Sequence, residues 1–432
     1  MIYSVCLLFE EKASMKTKHP SKPASHLRSS QRISRSESQP EGSASIFGSE
    51  EKRLTLLIRL LAVFVLLCLG FSWKLWISSR LYPLVPLFGL VPAFPYPFDY
   101  LFLALFSGLL LALVIQPRSK MWVGLIVAGF TILFLQDQSR IWPSFYQFFF
   151  CFLLLLTYRR DAGEEEAHRL LTGFRFILAA VYFWGGVQKL NTHFFNEEFP
   201  WFLRPLTDLL PFDIPTLPAL GIFAALFEVL FAIGLLTKRF RAIALYDAML
   251  MHALIFFLIG PFRNDWNNSA WIWGQTMAAQ AWLLFYKAPP FAFKKMFAAR
   301  RFYNLPQALA VLFIGILPLL NNVNRWDSAL SFNVYTGNVN HGQIRMHPDV
   351  APRLPAELSL FVTERDGWAV LDLNAWTLRE FNANPYPEKR IFKAVLDTIC
   401  SHVPDRSVRL FLTEKSGWFF PKSTHQYGCR EI

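Results

Sequence analysis

The chain has 432 residues, of which 53% are apolar and 17% charged, with 44 Phe and 14 Trp; soluble domains carry about 25% charged residues. This composition excludes a soluble enzyme, a disordered chain and a coiled coil, and fits a protein lying mostly in lipid with soluble appendages. The net charge of +12 raises nucleic acid or an anionic surface as a partner, but the placement of the basic residues gives a different account.

Residues 11–50 are rich in Ser, Lys, Arg and Pro and show no apolar period. Such a stretch buries too little apolar surface to offset chain entropy, so 1–50 is expected to be a disordered basic cytosolic tail. Residues 1–9 are apolar but have neither a basic region before them nor a small-residue cleavage motif after them, and no signal peptide is expected.

A helix crosses the hydrocarbon core with about 20 mostly apolar residues. Runs that meet or approach this lie at 54–77, 99–116, 121–136, 144–158, 174–190, 218–236, 241–260, 268–286 and 304–320. With the tail in the cytoplasm, the inward connections and their flanks hold fourteen basic residues, among them Arg118, Arg159, Lys238 and Lys294, and the outward connections hold four, Arg80, Arg140, Arg204 and Arg263. Basic residues concentrate on the inner side. The segregation therefore predicts nine spans over 51–320 with the N-terminus in and the C-terminus out, and it accounts for much of the charge without nucleic acid. The outward stretch 82–98, with five prolines, is expected to be ordered but not helical, and 191–217 to contain a short interfacial helix.

Residues 321–432 lose the apolar runs. Leu360-Phe-Val-Thr-Glu-Arg-Asp-Gly-Trp368 is echoed by Leu410-Phe-Leu-Thr-Glu-Lys-Ser-Gly-Trp418; each copy reads as a strand, a polar turn with Gly and an aromatic strand start, the pattern of a β-hairpin. Residues 387–402 have helical spacing, with Ile391, Ala394, Val395 and Ile399 on one face. The expected fold class is thus an all-α polytopic membrane bundle of about nine transmembrane helices with a small α+β extracytoplasmic C-terminal domain. In an oxidising compartment Cys400 and Cys429 are disulfide candidates, two free thiols being the alternative. No Cys or His spacing fits zinc, and no metal is expected.

Charge inside a bilayer is costly, so ionisable residues there are functional candidates. Lys189 closes the fifth run, in Tyr182-Phe-Trp-Gly-Gly-Val-Gln-Lys-Leu-Asn191; Glu228 lies in the sixth; Asp247 and His252 lie in the seventh. Glu228 and His252 each stand twelve residues from residue 240, in the basic turn between their runs. Both therefore lie about 18 Å from that turn, where they can pair across the helices or serve as a polar lock. Asp247 is offset from His252 by about 140° around the helix. Tyr182, Gly186 and Lys189 share a face, and Gly185 and Gly186 leave room for a ligand or a close helix. Lys189 reads either as a desolvated base or as a lysine snorkelling to the surface. The Asp137 loop, where Asp137 and Arg140 cap a helix end or pair, and the Trp266–Asn268 loop are expected to reach the same outer edge as Lys189 and Asn191. The tryptophans of the eighth run, Trp271 and Trp273, suit an interfacial belt.

Tyr182–Asn191 followed by Trp201, then Glu228, the basic turn 238–241 and His252, resembles the pattern of the vitamin K-dependent γ-carboxylase-like proteins, also called the horizontally transferred transmembrane (HTTM) domain, over roughly residues 50–320. The resemblance implies a lyase that couples oxygenation of a reduced, vitamin K-like quinone to glutamate carboxylation. It implies that Lys189 is the base and His252 a second catalytic group, with Tyr182, Gly185, Gly186, Asn191, Glu228, Asp137, Arg140, Trp266 and Asn267 about the ligand. The expected partners are membrane lipid, the quinol and an extracytoplasmic protein or peptide, without nucleic acid, in a bacterial inner or cell membrane. The chain departs from the family in having Gln188 and Asn191 around Lys189-Leu190, no His in Trp142-Pro143-Ser144, and a short outward part. The alternative reading is a non-catalytic lipid- or quinone-binding protein that assists assembly or export of a partner. A transporter is disfavoured by the lack of inverted repeats.

Overall fold

The computed structural model describes residues 48–432 except 90, 160–162, 213, 263–266, 300, 404–406, 418–420 and 430–432. The tail expected over 1–50 lies almost wholly outside the described residues. About 65% of the described residues are helical.

The first helix, α1 (Glu50–Phe71), starts where Ser49 accepts a hydrogen bond from the Lys52 backbone N–H and where Glu50 and Glu51 face the positive end of the helix dipole. It is followed by α2 (Phe98–Ile115), α3 (Lys120–Gln136), α4 (Pro143–Leu155), the long α5 (Gly163–Lys189), the short helix α6 (Phe199–Thr207), α7 (Leu217–Leu236), α8 (Arg241–Ile259) and α9 (Asn268–Phe285). The last apolar segment begins as α10 (Leu305–Ala310), widens into π-helical turns over Val311–Ile316 and tightens to a 3-10 helix through Val323, with Pro318 at the start of the tight stretch.

Six helical segments, α1, α2, α5, α7, α8 and Leu305–Val323, are long and apolar enough to cross a membrane. They leave Leu105, Phe227, Leu230, Ile243 and Leu250 exposed, an apolar surface far larger than water tolerates. The other three predicted runs are also helical but differ in kind. α4 has 13 residues, about 20 Å of helix, and is buried along almost its whole length; its neighbours, not lipid, surround it. α3 has 17 residues, and α9 carries Asn268, Gln275, Thr276 and Gln280 among its 18. α5 is the central post of the bundle, with 83% of its apolar window buried.

The C-terminal part is an antiparallel sheet of β1 (His341–Met346), β2 (Val362–Arg365), β3 (Trp368–Leu371), β4 (Val408–Glu414) and β5 (Ser423–Gly428) in the order β2-β3-β1-β4-β5, with helices α11 (Leu373–Phe381) and α12 (Lys389–Cys400). The two sequence echoes fold differently. The first makes the edge hairpin β2–β3, closed by Asp366 and Gly367 at φ 51° and 77°, the left-handed pair that matches strand twist. The second makes β4, paired to the central β1 on one side and to β5 on the other; Trp418 lies outside the described residues. β1 was not anticipated from the sequence. α12 buries Ile391, Phe392, Val395, Leu396 and Ile399, with Ala394 only half-buried. Its Phe392 ring lies directly over Gly342 of β1, where a Cβ would come within 2.4 Å. A disulfide joins Cys400, at the end of α12, to Cys429, just beyond β5.

Candidate functional site

One cavity of ≈ 110 Å³ lies among α5, α7, α8 and α9, and its lining includes Tyr182, Gly185, Lys189, Glu228 and His252. Three helices supply these groups, α5, α7 and α8. The seven-residue step from Tyr182 to Lys189 is two helical turns, which places both on the cavity side of α5. α7 approaches at Gly186, where a Cβ would stand 2.8 Å from the Val229 backbone N and 3.0 Å from the Ala225 carbonyl. Gly186 is therefore the contact point of two helices, while Gly185, one residue earlier, faces the Glu228 carboxylate, 2.8 Å from where its Cβ would be.

The polar groups form two pairs. Lys189 Nζ donates to Glu228 Oε2 at 2.5 Å, with side chains 19% and 11% exposed. Tyr182 Oη and His252 Nε2 are 2.8 Å apart. Glu228 and His252 thus share the cavity, as their equal depth suggested, but each bonds to α5 instead of to the other. His252 Nδ1 is buried without a hydrogen-bond partner and lies against Gly274, another lining residue. One valence of the imidazole is unused. The remaining wall is apolar, with Met251, Ile255 and Met277, and α6 and the segment before β1 supply Phe202, Phe332, Val334 and Tyr335. Phe332 and Tyr335 adopt φ of 57° and 53°, a conformation that apolar patterning does not signal. Trp273 lines the cavity and donates Nε1 to Gln147 Oε1 at 2.8 Å, so it faces the bundle interior, not a lipid interface.

Other residues singled out from the sequence fall elsewhere. Asn191 closes α5: its amide donates to the Gln188 carbonyl at 2.8 Å and its Oδ1 accepts from the Phe194 N–H at 2.9 Å. Asp137 and Arg140 are fully buried away from the cavity lining. Asp137 pairs with Arg80 at 2.5 Å and more loosely with Arg140 at 3.8 Å, and accepts from the Ser139 and Val85 N–H groups. Arg140 donates to the carbonyls of Leu75, Leu133 and Ile77 and to Gln136. Asn267 caps α9, its Oδ1 accepting from the Ala270 N–H at 3.2 Å. Trp266 lies outside the described residues. Asp247 does not line the cavity.

Val334 and Tyr335 also line a larger cleft of ≈ 440 Å³, between α6 and the sheet, with Glu198, Trp142 and Asn384 on its walls. Burial, reinforced by the adjacent Glu197, raises the Glu198 carboxyl above its ordinary value. A buried chain of hydrogen bonds ties the C-terminal sheet to the cavity helix: Lys415 donates to Asn321, whose amide donates to Gln188 Oε1 at 3.0 Å, and Gln188 precedes Lys189. Among the described residues there is no His, Cys, Asp or Glu cluster that could hold a metal.

No family model, no curated protein and no solved structure matches the chain.

Proposed function

We propose that this is a nine-span membrane protein, N-terminus inside and outer domain on the far side, whose α5–α9 cavity binds the ring of a reduced quinone or a similar amphiphile. The support for nine spans is the inner clustering of basic residues together with the burial of the short α4. One observation carries the binding reading: an otherwise apolar cavity holds the pairs Lys189–Glu228 and Tyr182–His252. Hydroxyl and carbonyl oxygens of a quinol need such donors and acceptors, and its ring needs such walls.

Size refines the ligand. Apolar cavities of about 150 Å³ admit benzene, so at ≈ 110 Å³ even a single-ring headgroup needs the walls to move outward. A fused two-ring headgroup of the vitamin K type requires the wall to yield, and Met251 and Met277 are the side chains able to do so. When bound, the quinol supplies reducing equivalents and acidic hydroxyl protons. Lys189 and Glu228 supply a polar pair beside the ring, and His252 Nδ1 supplies a buried hydrogen-bonding nitrogen without a partner.

The ion pair bears on the choice between catalysis and binding. A base acts with its amine free of the proton, and Lys189 is held by Glu228 at hydrogen-bonding distance. The pairing favours a quinol- or lipid-binding role, with the carboxylase-like lyase as the second reading, supported by the order of Lys189, Glu228 and His252 along the chain. The test is extraction of quinone from the purified protein and from Lys189→Met and His252→Ala, followed by an assay of epoxide formation from reduced vitamin K with oxygen. Quinone bound by the native chain and lost from both variants supports binding; epoxide made only by the native chain moves the protein to the lyase reading. A folded native chain that neither carries nor binds quinone overturns both.

A further inference from the structure

A second cavity, ≈ 370 Å³, lies where the outer end of α1 meets α11 and the start of α9. Its hydrogen-bonding groups are unevenly committed. The acceptors are spent: Glu380 receives the Leu81 and Tyr82 N–H groups and Trp376 Nε1; Asn267 Oδ1 receives the Ala270 N–H, Asn268 Oδ1 receives Trp271 Nε1, and Asn382 Oδ1 receives the Asn268 N–H. What lines the crevice without a hydrogen-bond acceptor among the described residues is a set of donors: Lys74 Nζ, which lies 5.6 Å from the centroid of the Trp73 ring, the Arg379 guanidinium and the side-chain amides of Asn267 and Asn268. A crevice of donors with two cations recognises an anion. Lys74 comes from the bundle and Arg379 from the outer domain, so one anion between them answers a charge on each.

The surroundings identify the anion's carrier. Phe71 and Trp73, on the crevice wall, are 46% and 41% exposed, and Trp73 leans on Tyr100, itself 40% exposed. Exposed aromatics at the end of an apolar helix mark the headgroup level of a membrane. We infer that the crevice binds the phosphate of an anionic phospholipid, with Lys74 and Arg379 on the headgroup and the acyl chains passing Phe71 and Trp73 into the bilayer. The lipid fastens the outer domain to the membrane plane. This site is independent of the quinol reading.

Binding is measured on the purified full chain by native mass spectrometry and by the thermal midpoint, with added phosphatidylglycerol, phosphatidylcholine or inorganic phosphate. Phosphatidylglycerol is expected to remain bound and to raise the midpoint. The double variant Lys74→Gln, Arg379→Gln is expected to bind it about thirtyfold more weakly, on about 1 kcal/mol for each cation near the surface. The charge-preserving Lys74→Arg, Arg379→Lys is expected to keep most of the affinity, which separates lost recognition from lost folding. Equal effects of the two lipids, or undiminished binding to the double Gln variant, overturn the proposal. A full effect from inorganic phosphate alone reassigns the crevice to the free anion and overturns the lipid.

Discussion

Two of the places where the molecule buries charge use it in opposite ways. Around Asp137, one carboxylate meets Arg80 and Arg140, and backbone carbonyls take up the spare guanidinium donors. Around Lys189, one ammonium meets one carboxylate, a histidine nitrogen is left without a partner, and a cavity lies alongside. The first arrangement is a lock, with every valence turned inward. The second keeps valence and space in reserve, and a binding site needs both. Buried charge alone does not distinguish the two; the unspent hydrogen-bonding capacity does.

The largest expected effect breaks the lock. Asp137→Ala leaves Arg80 and Arg140 buried and unpaired, which costs about 3–5 kcal/mol. Little folded protein is expected to elute from size exclusion in detergent, and adding Arg80→Gln is not expected to rescue it, because Arg140 stays uncompensated. A folded Asp137→Ala protein would remove the distinction between the two clusters. At the cavity, Lys189→Met strands Glu228 and costs about 1–3 kcal/mol. Here the second change, Glu228→Gln, is expected to restore the thermal midpoint while quinone content stays low. A lock fails to recover its fold; a site recovers the fold and not the ligand.

Much of this was legible in the sequence, and the failures have physical causes. Hydropathy located all nine helical segments because transfer into lipid acts on composition, the quantity a run displays. It could not say that α4 is enclosed by protein, since burial by neighbours and by lipid leave the same apolar signature. Lys189, Glu228 and His252 stood out because charge is rare in apolar runs. Their pairing did not follow: counting residues from a turn fixes depth, while partners depend on helix rotation, and α7 and α8 turned Glu228 and His252 toward α5. Asp137 was read with nearby Arg140, whereas its tight partner Arg80 is 57 residues away. Phe332, Val334 and Tyr335 gave no periodic signal, because they wall the cavity from a loop with left-handed backbone.

The adjacent glycines Gly185 and Gly186 of α5 sharpen the comparison within one helix turn. A Cβ on Gly186 meets backbone atoms of α7 that cannot move alone, so Gly186→Ala is expected to lower stability by about 1–3 kcal/mol. A Cβ on Gly185 meets the tip of the Glu228 side chain, which can rotate. Gly185→Ala is therefore expected to keep the thermal midpoint within about 1 kcal/mol and to disturb the Lys189–Glu228 pair, read as reduced quinone content. The reverse order of effects would mean that the cavity face of α5 has been misassigned.

The smallest effect belongs to a third cluster, at the water boundary, which touches both of the others. Arg390 bonds Gln138, next to Asp137, as well as Asp327; Lys415 reaches Gln188, next to Lys189, through Asn321. Burial, with Asp327 nearby, raises the Glu388 carboxyl from 4.5 to about 7, and burial lowers the Lys415 ammonium from 10.5 to about 8. Between pH 4.5 and 7 the folded protein holds a proton on Glu388 that the unfolded chain has released, so stability falls as pH rises through that window. Between pH 8 and 10.5 the unfolded chain holds a proton on Lys415 that the folded protein has released, so stability rises again. The thermal midpoint is expected to pass through a shallow minimum between pH 7 and 8, each limb on the order of 1 kcal/mol because the two groups titrate against one another. Glu388→Gln should flatten the acidic limb and Lys415→Met the basic one. A monotonic curve for the native chain, or a minimum that survives both substitutions, would detach this cluster from the stability of the fold.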